Sequence, residues 1–336
     1  MQAGGVTGGL ISGRNLWTAL GQRGHSVAVL TGAGDAQGDA VAASDRGSYV
    51  EISVRDPAAA IGPLLEQLRP DAVVFSTSSQ IAAPIATCRA TGLPVVMSFL
   101  TADLQALDTS FVADPAFLYL ANSSFLASRL AAWFGITAEV MYPIVHPPKL
   151  DAATRRDRVL FVNPVPQKGW AIFAAVAGAL RETPFTVLES WPLDQAWRRH
   201  CQSQVAYFGN IDWRLAVDDM DPIWSRTRVL LMPSVWEEAW GRAAAEAVAA
   251  GIPVVASDRG GLKQAVGPGG IVIDIHAPIV EWTTAVTRLM TDERHHQEVA
   301  AAGLSHAARA EVQPDTLADR FVALVSEHVE RYGNRA

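Results

Sequence analysis

Short runs of β-branched and apolar residues alternate along the chain with longer amphipathic stretches. The short runs predict strands over 26–30, 49–54, 72–75, 95–99 and 118–121, then over 159–162, 185–188, 205–208, 229–232, 253–256 and 271–273. The longer stretches predict helices over 12–23, 57–68, 123–134, 170–180, 240–250, 293–310 and 314–332. Asp56-Pro57 supplies an N-cap and a proline at the first helical position for one of them. Alternation of this kind implies right-handed βαβ units and parallel sheets. Most of the strands read as unbroken apolar runs, which suits strands covered by helices on both faces.

The alternation breaks once, in the proline-rich stretch "MYPIVHPPKLDAATRRDR" that begins at Met141. A break there divides the chain into an N-terminal domain, 1–148, and a C-terminal domain, 149–312, with a last helix at 313–336 packing back on the first domain. Each domain is expected to be an α/β, doubly wound, Rossmann-like sheet that binds ligands at the carboxyl ends of its strands. The chain opens on the glycine-rich "MQAGGVTGG" and a helix, so the first strand of the N-terminal domain is expected to be lost or to lie upstream.

Bulk properties narrow the classes. A chain of 336 residues suits two domains, and 49% hydrophobic with 18% charged residues describes a globular chain. No apolar run reaches the roughly 18–20 residues that span a bilayer. The N-terminus lacks the basic start and apolar core of a signal peptide. Cys88 and Cys201 stand far apart without CxxC spacing, so neither a disulfide nor a zinc site is expected, and the reading is cytoplasmic. A net charge of −7, with neither half basic, disfavours nucleic acid and gives no support to peripheral membrane contact. The histidines form no cluster with metal-ligand spacing, so no metal is expected. There is no G-x-S-x-G, and "GGVTGG" fails the dinucleotide spacing and follows no strand.

The candidate chemistry lies in the second half. The run "WEEAWGRAAAEAVAA" places Glu246 inside an otherwise apolar helix. A buried carboxylate needs a partner. Arg242, one turn earlier, is the structural candidate, although Arg before Glu is the weaker orientation of such a pair. A ligand with paired hydroxyls, such as a ribose, is the functional candidate and the one favoured here. Glu238 precedes the same helix, where the amides of Ala239, Trp240 and Gly241 would favour negative charge. Glu237 reads as an ordinary acidic residue at a helix start. In "VLFVNPVPQKGW", Lys168 and Gly169 open the next helix after a strand. Lysine there is electrostatically unfavourable unless an anion binds. Only three lysines occur in the chain, so one in this position carries weight. Gly260-Gly261 follows another strand end and allows close backbone approach.

These residues carry a resemblance. "LLMPSVWEEAWGRAAAEAVAAGIPVVASDRGGLKQAV" resembles the C-terminal signature of the family-4 retaining glycosyltransferases, also called glycosyl transferases group 1, which have the GT-B fold of two Rossmann-like domains facing a cleft. Glu238 and Glu246 match the family's Glu-x7-Glu pattern, and "FVNPVPQKGW" resembles its phosphate turn. "ALGQRGHSVAVLT" and "NSSFLASRL" resemble N-domain segments. The resemblance implies transfer of a hexose-type sugar from a nucleoside diphosphate donor, UDP or GDP, with retained configuration and no divalent metal or other cofactor. The acceptor would be a glycan, a lipid or a small molecule, read by the N-terminal domain. Lys168 would neutralise the diphosphate, Glu238 would contact the sugar or the leaving side, and Glu246 would hold the ribose. Ala239, Trp240, Gly241 and Gly169 would meet sugar or phosphate oxygens, Gly209 and Asn210 would lie near the base, and Gly8 and Gly9 would approach the phosphate from the N-terminal domain. The chain also departs from the family. Asn163 stands where an arginine usually pairs with the lysine, Gln264 replaces a glutamate, and Ser98, Thr101 and Asp103 occupy the acceptor side where a histidine is usual. These departures raise a second reading, a catalytically silent nucleotide-sugar-binding or partner protein. A nucleotide-sugar epimerase on the same fold is a third, without the carboxylates and histidines its acid/base work would need.

Overall fold

The computed structural model describes residues 7–32, 42–76, 82–104 and 113–333; residues 1–6 of the glycine-rich start lie outside them. The chain divides into two compact units. One comprises 12–144 and 314–336, the other 145–313 together with the chain up to Ile11, so the break falls inside the proline-rich segment.

The N-terminal unit contains α1 (Gly8–Gln22) from Ser12 onward, β1 (Ala28–Gly32), β2 (Ala42–Asp45), β3 (Val50–Val54), α2 (Pro57–Leu68), β4 (Val73–Ser76), α3 (Ala82–Thr91), β5 (Val95–Phe99), β6 (Leu118–Ala121), α4 (Ser124–Phe134) and β7 (Glu139–Val140). Its described strands pair as β1-β3-β2, with β2 antiparallel, and as an all-parallel β4-β5-β6-β7. The expected cap is present: the Asp56 side chain accepts from the amides of Ala58 and Ala59 at the start of α2. Ser123 caps α4 in the same way by accepting from Leu126 N.

The C-terminal unit runs β8 (Arg158–Val162), α5 (Trp170–Ala179), β9 (Phe185–Glu189), α6 (Gln195–Phe208), β10 (Ile211–Leu215), α7 (Asp221–Arg226), β11 (Thr227–Met232), α8 (Arg242–Ala249), β12 (Val254–Ser257), α9 (Leu262–Val266), β13 (Gly270–Ile273), α10 (Ile279–Thr291) and α11 (Glu293–Ala307). The sheet order is β10-β9-β8-β11-β12-β13, parallel throughout. This is the doubly wound order in which the chain reverses direction between its first and fourth strands, here β8 and β11. Its core packs Phe161, Trp170, Phe173 and Phe185 against Trp282 and Leu289 of α10. The last helix, α12 (Pro314–Gly333), belongs to the N-terminal unit. Leu317, Ala318 and Phe321 pack there with Leu20, Val96, Leu120 and Ile144, and Arg23 bonds Asp315 at 2.7 Å and Asp319 at 2.8 Å.

One expectation needs correction, and one histidine is placed unexpectedly. The run 205–208 is no strand; it is the last turn of α6. Asp194 caps that helix by accepting from Ala196 N and Trp197 N, and Gly209 ends it in the left-handed conformation. Trp197, Cys201, Val205 and Phe208 follow helical spacing and face the core, and that periodicity outweighs a short apolar run. The strand lies just beyond, where Ile211 pairs with Phe185. His296, in a helix that reads as polar, is buried; its Nδ1 lies 3.1 Å from the Leu289 carbonyl, and burial lowers its pKa. Among the described residues no helix is long and apolar enough to cross a membrane.

Both cysteines are fully buried, and burial pushes the Cys88 thiol up to about 11 and the Cys201 thiol up to about 12. Reactivity follows the thiolate. The folded protein is therefore expected to resist iodoacetamide at about pH 8, with both thiols labelling once guanidinium unfolds it. Rapid labelling of either in native buffer, read by intact mass, would contradict this packing.

Candidate active site

The sheet reverses between β8 and β11, the place where doubly wound sheets take their ligands, in a crevice at the carboxyl ends of the strands. Four loops meet there: those after β8, β9, β11 and β12. They are tied together by backbone and side-chain bonds. Val235 N donates to Gln167 O at 2.9 Å, Gly261 N to Glu238 O at 2.7 Å, and Ser257 Oγ to Ser234 O at 2.7 Å. Two close approaches require glycine. A Cβ on Gly169, which has φ +84°, would overlap the Pro233 carbonyl, and one on Gly260, with φ +64°, would overlap the Glu238 backbone.

Glu238 sits at the centre of this junction, 8% exposed. Its Oε1 accepts from Lys168 Nζ at 2.6 Å, Ser234 Oγ at 2.7 Å and Trp236 Nε1 at 2.8 Å. Lys168 comes from the turn after β8 and Glu238 from the turn after β11, so this pair bridges the reversal point itself. The ammonium also lies 5.1 Å from the ring centroid of Trp191 and 4.8 Å from that of Trp236. An anion entering here would meet a half-buried cation already held in place.

The second glutamate of the pair, Glu246, has taken its structural candidate as partner: Arg242 Nε lies 2.7 Å from Glu246 Oε1. Burial raises the Glu246 pKa and lowers that of Arg242, each against the pull of the other charge. Perturbed titration of this kind, caused by burial beside a charge partner, is common at functional sites. Gly241, with φ +100°, caps α8, and Ala239 and Trp240 are buried just ahead of it. α8 begins two residues later than expected, at Arg242, because Gly241, in the left-handed region, cannot carry helical geometry back to Trp240.

The other candidates are placed differently. Asn163 is buried with φ +63°, and its Oδ1 accepts from Ser190 N at 3.1 Å, Ser190 Oγ at 2.6 Å and Trp191 N at 2.9 Å. Its carbonyl oxygen therefore holds the loop after β9. Gly209 and Asn210 precede β10 and so lie at the amino-terminal edge of the sheet, away from the crevice. The Asn210 amide donates to the carbonyls of Ala177, Leu180 and Thr183, ordering the end of α5. The position near a base that the resemblance implies for them assumed a strand over 205–208, which is helix here. Gly9 lies in the first turn of α1, and Gly8 opens that helix; a Cβ on Gly8 would stand 3.7 Å from Arg242 Cβ. Ser98 lies on β5, and Thr101 and Asp103 follow it in the N-terminal unit, where Asp103 N donates to Thr101 Oγ1 at 3.1 Å. The sequence reading missed Trp191, Trp236, Ser190 and Ser234. Each follows a strand end closely, and that offset was the available signal.

Comparison with known proteins bears on the fold and on the C-terminal half of the chain. Residues 156–292 match the family Glycosyl transferases group 1. The D-inositol 3-phosphate glycosyltransferase of Corynebacterium diphtheriae is 37% identical over 93 residues, 27% of this chain and 21% of that protein. The enzyme of the same name from Stackebrandtia nassauensis is 42% identical over 83 residues, 24% of this chain and 18% of that protein. The matched stretch spans about a fifth of the length of these relatives. Among solved structures, sucrose-phosphate synthase from Thermosynechococcus elongatus superposes with a TM-score of 0.80 at 16% identity, covering 96% of this chain and 95% of that one. A glycosyltransferase from Rickettsia africae gives 0.75 at 12% identity, covering 96% of each chain. Anabaena HepE, solved with UDP and glucose, gives 0.71 at 15% identity, covering 97% and 98%. The chain thus has the α/β GT-B fold of these structures, and its residues 156–292 are similar to the glycosyl transferases group 1 domain.

Proposed function

We propose that this chain is a retaining glycosyltransferase that moves a hexose-type sugar from a nucleoside diphosphate donor to an acceptor hydroxyl. The observation that carries the reading is the Lys168–Glu238 contact at the reversal point of the C-terminal sheet, 2.6 Å long and backed by Ser234 and Trp236. Breaking the glycosidic bond places negative charge on the departing diphosphate. Lys168 is the cation that meets it, and the amides at the start of α5 and α8 add favourable dipoles. Glu246 exchanges Arg242 for the ribose hydroxyls when the donor binds. The acceptor oxygen attacks the anomeric carbon from the face the diphosphate leaves, and the departing phosphate oxygen takes the acceptor proton. The sugar is transferred with its configuration kept.

UDP is the first donor nucleotide to test, because it occupies the Anabaena structure. D-inositol 3-phosphate, named in the curated relatives, is the first acceptor. A second reading, a silent nucleotide-sugar-binding protein, draws on Asn163, whose uncharged side chain is committed to the loop after β9. Donor binding by calorimetry without transfer or hydrolysis would favour it.

A thermal-shift panel of UDP, GDP, ADP and dTDP is expected to raise the unfolding temperature with at least one of them, since a ligand stabilises only the state it binds. Glu246→Ala is expected to weaken that nucleotide's binding. Lys168→Ala is expected to lower turnover by more than about tenfold, the scale of removing one transition-state charge contact. Wild-type kinetics in both variants would sink the proposal.

A further inference from the structure

Three strand ends converge on one ammonium group. Trp191 follows β9 and Trp236 follows β11, and their rings stand 5.9 Å apart at 64° with Lys168 Nζ near the face of each. Trp236 does two things at once, since its Nε1 donates to the same Glu238 oxygen that accepts from Lys168. Trp191 is fixed from behind by Asn163 at the end of β8, whose Oδ1 accepts from the Trp191 amide and from both Ser190 donors. Asn163 keeps the left-handed conformation, φ +63°, while only 6% exposed. Asparagine tolerates that conformation better than most residues, and its short side chain reaches local amides.

The chemistry of this cage is specific. An aromatic face attracts a cation without accepting a full hydrogen bond from it. An ammonium has three N–H donors, and Glu238 Oε1 takes one. Rings in place of further carboxylates hold the charge and its four-carbon stem while leaving donors for an incoming anion. A second carboxylate in the position of either ring would instead neutralise the ammonium and repel a phosphate.

We propose that Trp191 and Trp236 are positioning residues, an aromatic clamp that holds the Lys168 ammonium for the diphosphate of the donor, and that Asn163 sets the clamp by fixing Trp191. The proposal rests on the reading that Lys168 meets a nucleoside diphosphate. It gives Asn163 a role at one remove from the ligand.

Calorimetry tests it with UDP, GDP, ADP and dTDP and with the four matching nucleosides. The proteins are the wild type, Trp191→Leu, Trp191→Phe, Trp236→Leu and Asn163→Ala, each also made together with Lys168→Met, with thermal unfolding checked for every one. Trp191→Leu and Trp236→Leu are expected to weaken diphosphate binding by about threefold to thirtyfold, the range from an exposed to a desolvated cation–π contact, and to leave nucleoside binding unchanged. Trp191→Phe, which keeps a π face, is expected to retain most of the affinity, and it decides the matter if Trp191→Leu does not fold. Asn163→Ala is expected to follow Trp191→Leu. Combined with Lys168→Met, each loss is expected to shrink below about twofold, because the rings act through the ammonium. Equal losses with and without Lys168, or parallel losses for diphosphate and nucleoside, would show the rings stacking directly on the ligand and overturn the clamp. Unchanged affinity in Asn163→Ala would remove Asn163 from it. A wild type that binds none of the four diphosphates would overturn the donor reading itself, and the clamp with it.

Discussion

One carboxylate oxygen organises the C-terminal unit. Glu238 Oε1 accepts from an ammonium, a hydroxyl and an indole, all within 2.8 Å and almost out of water. A buried carboxylate is stable only when its lone pairs are used, and a buried lysine only when its charge is compensated. Each requirement here meets the other. The loop geometry follows from it. The turn after β11 must bring Glu238 over the end of β8, and the turn after β12 must pass beneath without side chains, hence Gly260 and Gly261 against the Glu238–Trp240 backbone. The loop after β8 must lie against Pro233, hence Gly169.

The second ion pair is built on other terms. Lys168 and Glu238 come from opposite sides of the reversal point, and Ser234 and Trp236 share the load. Arg242 and Glu246 sit one turn apart on a single short helix, and burial pushes both towards neutrality. The first pair defines the crevice. The second closes within one turn of α8.

Much of this was legible in the sequence, for identifiable reasons. Strands covered on both faces announce themselves as apolar runs, and β8, β9, β11 and β12 were readable for that reason. Lys168 stood out because lysine is scarce and a helix start repels it. Glu246 stood out because its helix is alanine-rich, although its partner in the structure is Arg242. The misread segment was 205–208, where four apolar residues close a helix whose period only appears when Trp197 and Cys201 are counted with them. That error carried Gly209 and Asn210 to the wrong edge of the sheet. Trp191, Trp236 and the true task of Asn163 stayed hidden because they depend on contacts between loops 27 to 70 residues apart in the chain, and no local pattern encodes such pairs.

The separation of Lys168 from Glu238, 70 residues along the chain, has a consequence for how the molecule comes into being. Parallel neighbours require a crossover between them, and here β9, α6, β10 and α7 are all threaded before β11 docks beside β8. Closing so long a loop carries an entropic cost that only the finished sheet offsets. During synthesis Lys168 therefore emerges long before its counter-charge, and the crevice comes into existence only when the two halves of the sheet join. The Lys168–Glu238 contact is therefore a property of the assembled sheet, and its formation during refolding would time the closure of that sheet.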